Sequence, residues 1–191
     1  PWVILAPPPT SAEIESTPEG EGASGISRAA LRLSGGDTQI GAWNPALDLR
    51  MTTPVGSGKL VVQFDMKDVS DSESDLQLQF ANSAEGEYQP YASLHFRDGN
   101  VLVEGLDHPA IQSAFGTGPG AGWTRVKMEI PIVAAAERSV SLVVGDISVE
   151  EFPVKKTDPG CTEIGLIRFF APGDTGSRIF LDNIEVSHVS L

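Results

Sequence analysis

The sequence predicts an all-β domain of the antiparallel sandwich or barrel kind. Three observations predict it. Apolar and polar residues alternate in short runs, glycine and proline separate the runs, and no stretch carries the helical period. The chain has 191 residues, with 20 Gly and 14 Pro. That Gly and Pro content suits many short strands joined by turns. A chain of this length buries a core without help from disulfides or metals.

Residues 1–25 begin Trp2-Val3-Ile4-Leu5-Ala6 after Pro1. They continue through Pro7-Pro8-Pro9 with Glu13, Glu15, Glu19 and Glu21. This composition buries little and reads as an extended arm or linker. It has room for an edge strand anchored by Ile14. From 26 to 191 the alternating pattern takes over and marks the sandwich domain. In residues 60–66, Leu60, Val62, Phe64 and Met66 point one way, Gln63 and Asp65 the other. Residues 75–80 and 91–96 repeat the pattern. Asp98-Gly99 then forms a hairpin turn, because both central positions favour positive φ. Val101-Leu102-Val103 returns from it. Residues 123–130 alternate again. Residues 139–144 and 147–152 flank Gly145-Asp146 as a second hairpin. Residues 164–170 and 179–189 complete a set of about ten strands at sandwich or barrel spacing. Ala134-Ala135-Ala136 has room for one helical turn. An α/β fold is excluded, because no amphipathic helix separates the strands.

The formal net charge is −13, from 13 Lys and Arg against 26 Asp and Glu. Phosphate binding needs a basic surface, so nucleic acid is excluded as a partner. Docking on anionic lipid is disfavoured for the same reason. No apolar run reaches spanning length, so no membrane insertion is expected. Acidity leaves sugars open. Cys161 is the one cysteine, so no internal disulfide forms. It follows the turn Asp158-Pro159-Gly160 and reads as an incidental residue at a strand start. A nucleophilic thiol would need a positioned base. A chain beginning at Pro1 reads as a processed or excised piece, with a secreted, periplasmic or cell-surface location expected.

Two stretches carry a resemblance. The first is Gly122-Trp123-Thr124-Arg125-Val126-Lys127-Met128-Glu129-Ile130, followed by Val140-Ser141-Leu142-Val143-Val144-Gly145-Asp146. The second is Ile164-Gly165-Leu166-Ile167-Arg168-Phe169-Phe170, then Ile179-Phe180-Leu181-Asp182-Asn183-Ile184-Glu185-Val186. This order resembles the concanavalin A-like lectin/glucanase (LamG-like) domains of bacterial exported proteins. The resemblance implies a two-sheet antiparallel jelly-roll sandwich and a sugar-related context, but no activity. Galactose-binding-like jelly rolls close on a similar strand and stand as a second topology.

Catalytic signatures are missing. Laminarinase-like enzymes set acids at Glu-X-Asp-X-Glu spacing, which turns them to one face. Here Glu150 and Glu151 are adjacent and point apart. The Arg/Gln/His/Tyr set of alginate-lyase-like jelly rolls is poorly matched by Ser93-Leu94-His95-Phe96. Gly-X-Ser-X-Gly, phosphate loops and zinc spacings are absent. The reading is therefore a non-catalytic binding or accessory domain, with a polysaccharide or glycan as ligand. The alternatives are a divergent polysaccharide-degrading enzyme, with Glu129, His95 and Arg97 in one groove, and a structural or protein-interaction domain of a cell-surface protein.

Gln77, Gln79, His95, Arg97, Lys127, Glu129 and Arg168 sit opposite apolar neighbours. Side by side on one sheet they would line a groove rich in donors and acceptors. The plainer reading is a solvated sheet face. Arg168 is the sharpest member, since it interrupts an apolar run. Trp43, Tyr88 and Tyr91 lie in or beside loops and are the candidate sugar-stacking platform. Trp123 reads as core. Alternation puts Asp182 on the face of Phe180, Ile184 and Val186. A carboxylate there needs hydrogen bonds, a cation or a bulge. The resemblance implies a structural Ca²⁺ at Asp182. Calcium takes six to eight oxygens, so Glu19 or Glu21 would have to join. No other cofactor is expected.

Overall fold

Runs of period two bury one face and leave the other polar only if they extend and pair, and thirteen strands do extend and pair among the described residues. The computed structural model describes residues 2–5, 11–16, 29–34, 46–82, 89–103, 110–133, 137–155, 160–171 and 177–190. The strands are β1 (Trp2–Leu5), β2 (Ser11–Ser16), β3 (Ala29–Ser34), β4 (Ala46–Val55), β5 (Lys59–Asp68), β6 (Asp75–Asn82) and β7 (Gln89–Arg97). They continue as β8 (Asn100–Val103), β9 (Thr124–Pro131), β10 (Glu137–Val144), β11 (Ile147–Lys155), β12 (Ile164–Phe170) and β13 (Arg178–Val189). No helix occurs among the described residues, so none is long and apolar enough to cross a membrane. Residues 134–136 lie outside them.

The strands form two antiparallel sheets. One is six-stranded, in the order β1-β4-β12-β6-β7-β8. The other is seven-stranded, in the order β11-β10-β9-β5-β13-β3-β2. Both are open, so the molecule is a jelly-roll sandwich and not a barrel. The segment read as an arm places one strand at an edge of each sheet. β1 pairs along β4, and β2 pairs along β3, with Ile14 opposite Leu31.

The inner faces meet in one core. Leu60, Val62, Phe64 and Met66 on β5 face Leu76, Leu78 and Phe80 on β6, Phe96 on β7, and Ile167 and Phe169 on β12. Phe64 stacks edge-on against Phe169 at 5.1 Å and against Phe96 at 5.9 Å. Edge-to-face rings at this spacing add to plain area burial. Asp98 and Gly99 turn the β7–β8 hairpin with φ of 49° and 79°, the left-handed pair that a two-residue turn needs.

Tyr91 corrects an expectation. A bulge between Phe80 and Ala81 in the β6–β7 register makes room for it. Its ring is 0% exposed within the core, so it offers no stacking surface to a sugar. Its hydroxyl donates to the Pro131 carbonyl (3.0 Å) and accepts from the Val133 N–H (3.2 Å). Both partners belong to β9 or the residues just after it, so Tyr91 bridges the two sheets. Trp123 is partly buried. It packs with Val69 and Phe180 in a small satellite cluster outside the main core.

Phe64→Ala removes the ring shared by both edge-on stacks and is expected to cost about 3–5 kcal/mol of stability. Urea unfolding of the wild type and the variant measures it; a loss below about 1 kcal/mol would mean that the core refills around the gap.

Candidate functional site

The outer face of the six-stranded sheet carries an unusual set of residues. Register places Asp48, Arg168, Gln79 and Ser93 in one line across β4, β12, β6 and β7. The next line is Phe170, Gln77, His95 and Leu102. A third holds Asp75, Arg97 and Asn100. Strands lie about 4.8 Å apart, so each line spans on the order of 10–15 Å.

A freely solvated sheet face would leave these side chains in water. Instead Asp48, Gln77, Gln79, Ser93 and Asp75 are all buried. Burying polar groups is costly unless they are hydrogen-bonded, and these are. Arg168 grips Asp48 with Nε to Oδ1 (2.6 Å) and Nη2 to Oδ2 (2.8 Å). Arg50 adds a contact from Nη2 to Asp48 Oδ2 at 3.2 Å. Gln77 donates from Nε2 to Ser93 Oγ at 2.5 Å. Asp75 accepts from Arg97 Nε (3.1 Å) and Nη2, and lies 3.2 Å from His95 Nδ1. A carboxylate against Nδ1 fixes the imidazole orientation and favours the tautomer with its proton there. The result is a largely buried set of amides, a hydroxyl, an imidazole and two compensated carboxylate–guanidinium clusters on the outer side of the sheet. Such groups recognise vicinal hydroxyls well.

The two remaining members of the expected groove are elsewhere. Lys127 and Glu129 lie on β9, in the seven-stranded sheet, and face the opposite side of the sandwich. The outer face of the six-stranded sheet therefore holds Gln77, Gln79, His95, Arg97 and Arg168, without Lys127 or Glu129. A catalytic cluster of Glu129, His95 and Arg97 is ruled out for the same reason: a core lies between them. Glu129 is instead clasped by Lys59 at 2.5 Å and Lys127 at 2.8 Å. Hydrogen bonds from Lys127 and then Lys59 hold its carboxyl below the usual glutamate range, against the smaller opposing effect of burial.

Asp182 departs from simple alternation. Ile179 and Leu181 are the buried residues on the core side of β13. Asp182 therefore points outward, opposite Asp65. A bulge between Asp182 and Glu185, with Asn183 at φ 48°, then turns Ile184 and Val186 back towards the core. Asp182 Oδ1 accepts the Asn183 N–H at 2.8 Å. Asp65 Oδ2 accepts from Asn183 Nδ2 (2.7 Å) and Arg125 Nη1 (3.0 Å). Among the described residues no three Asp, Glu, His or Cys side chains group as a metal site. Glu19, Glu21, Trp43 and Tyr88 lie outside the described residues. Cys161 is fully buried, and its thiol donates to the Glu163 carbonyl at 3.2 Å, which leaves no exposed nucleophile.

Asp48 and Asp75 are the site residues that sequence reasoning missed. Leu47-Asp48-Leu49-Arg50-Met51 alternates and would have revealed β4, together with an Asp–Arg pair two residues apart on one face. Asp75 opens β6, where a leading acid reads as a turn residue.

No protein-family model and no curated protein matches the chain. Solved structures do share its fold. An endo-β-1,4-glucuronan lyase from the fungus Trichoderma reesei superposes with a TM-score of 0.60 and 12% identity, over 98% of this chain and 90% of that one. A Bacillus subtilis protein of unknown function with a galectin-like fold gives a TM-score of 0.54 and 11% identity, over 100% and 90%. The alginate lyase Aly36B gives a TM-score of 0.53 and 10% identity, over 87% and 83%. Identity this low shows a common jelly-roll fold and nothing about activity.

Two predictions follow from the ion pairs. Asp48→Asn strips Arg168 of its buried counter-charge and should cost about 3 kcal/mol, against about 1 kcal/mol or less for Arg178→Ala at the exposed Asp71 pair. Urea unfolding of both variants makes the comparison, and equal losses would contradict it. Glu129 has a depressed folded-state pKa, so its contribution is present above the unfolded value and lost as pH falls through the folded one. Glu129→Gln should therefore destabilise slightly at neutral pH, by no more than about 1 kcal/mol, and by less at pH 3. Unfolding midpoints at the two pH values test this; a difference independent of pH would refute it.

Proposed function

We propose that the chain is a carbohydrate-binding or accessory domain that takes polysaccharide on the outer face of the six-stranded sheet. One observation carries the reading. Gln77, Gln79, Ser93, His95 and the Asp48–Arg168 pair line up as a hydrogen-bonded polar set on the outer side of the six-stranded sheet, most of them buried. Polar groups fixed in this way need little reordering on binding, which lowers the entropic cost of capturing a polymer. Two proteins of the same fold are named for polysaccharides, a glucuronan lyase and an alginate lyase, which supports the context without assigning the chemistry. A secreted, periplasmic or cell-surface location accords with such a ligand. The reading is non-catalytic because the sequence lacks a row of acids at one-face spacing and because Glu129 stands on the far side from His95 and Arg97.

Affinity electrophoresis of the purified protein through gels cast with single polysaccharides tests the proposal. At least one polymer should retard it. Gln77→Ala and His95→Ala should each weaken retardation about tenfold, the effect of losing one well-placed hydrogen bond. Glu129→Gln should leave it unchanged. No retardation by any polymer, or equal loss in Glu129→Gln, would reject the assignment.

A further inference from the structure

On the outer side of the six-stranded sheet, two arginines reach solvent. The side chain of Arg50 on β4 is 47% exposed and that of Arg97 on β7 is 48% exposed. Gln77, Gln79 and Ser93 are buried, and Arg168 is 11% exposed with two bonds to Asp48. Contact with a ligand therefore falls to Arg50 and Arg97. Among the described residues Arg50 lends one of its five N–H donors, through Nη2, to Asp48 at 3.2 Å. Arg97 turns Nε and Nη2 to Asp75, and about half of its side chain stays outside. Each buried aspartate anchors an exposed guanidinium. Such anchoring lowers the ordering cost of a further contact with a ligand carboxylate.

Charge favours the same ligand. The six strands of this sheet hold three arginines against two aspartates, Asp48 and Asp75, and both acids are buried. Cations protrude here and acids do not, although the chain has a net charge of −13. An anion that the net charge repels finds a local attraction at this sheet, since screening confines each effect to about 10 Å.

Spacing decides the size of the ligand. Arg50 stands opposite Leu166, two residues beyond the Asp48–Arg168 line. Arg97 stands opposite Asp75, two residues beyond the Gln77–His95 line. Three strand spacings and six residue rises put their Cα atoms at opposite corners of the face, on the order of 25 Å apart. One sugar cannot span that distance, whereas a polymer with repeated carboxylates can hold both corners at once. We infer that this face takes a polymer of uronic acids, with carboxylates held by Arg50 at one corner and Arg97 at the other. The inference rests on the carbohydrate reading above and narrows it to a ligand class.

Titration of the full chain against polygalacturonate, polyglucuronate and alginate tests it, each beside its methyl ester, with β-glucan and xylan as neutral polymers. Esterification removes the charge and keeps the backbone. At least one polyuronate should bind, and its ester at least about tenfold more weakly, the effect of losing charge-assisted hydrogen bonds. Arg50→Gln should weaken that binding about tenfold while its urea midpoint stays close to wild type, because Asp48 keeps Arg168. Arg178→Gln removes an equally exposed arginine from the other sheet and should leave binding unchanged. Esters or neutral polymers that bind as tightly as the polyuronates would overturn the inference and leave the carbohydrate assignment standing. So would an Arg50→Gln variant that binds like wild type, or an equal loss in Arg178→Gln. Failure of every polymer would overturn both.

Discussion

The apolar contact between the two sheets is the constraint on which the remainder rests. Phe64 sits at its centre, edge-on to Phe96 and Phe169, which come from two different strands of the opposite sheet. Rings interlocked in this way fix the strands along and across their length. Side chains on a strand alternate, so pinning Phe169 inward also pins Arg168 outward. A one-residue slip would send the guanidinium into the core, at a cost the fold cannot bear. Tyr91 adds a polar bond across the same interface. The position of every residue on the candidate face is thus decided by packing on the other side of the sheet.

The outer face shows how a sheet can hold charge without exposing it. Asp48 and Asp75 are more deeply buried than most of the surrounding polar groups, yet each is met by guanidinium nitrogens. The seven-stranded sheet handles charge differently. There the outward Lys59–Glu129 pair is partly exposed on both sides, while Arg125 reaches from solvent to the buried Asp65. The two outer faces therefore differ in degree: the six-stranded sheet buries both acids of its clusters almost completely, the seven-stranded sheet leaves Glu129 partly in solvent.

Much of the architecture is legible in the residues. The alternation of 60–66, 75–80 and 123–130 marks three strands, and Asp98-Gly99 marks the turn between two others. β4 is hard to read because Thr52-Thr53-Pro54 disguises its far end, and with it Asp48 goes unseen. Which polar residues share a face is harder still. Period-two reading tells inward from outward but does not tell which sheet a strand joins, so Lys127 and Glu129 are grouped with His95 although the core separates them. Local exceptions are a third obstacle. The bulges at Phe80–Ala81 and Asp182–Glu185 each add a residue, which turns Tyr91 into the core and separates Ile184 and Val186 from the face of Asp182. Nothing in the amino-acid types announces a bulge, since its cause is cross-strand register.

The first two strands have a consequence for handling the molecule. β1 closes the β4 edge of one sheet and β2 closes the β3 edge of the other, so a short length of chain seals both flanks. Trimming that length, by protease or by choice of expression boundary, would uncover two rows of vacant N–H and C=O groups at once. Bare edges recruit further strands, so a shortened version would tend to self-associate. One of the uncovered strands bears Asp48, so the first strand guards an edge of the candidate face.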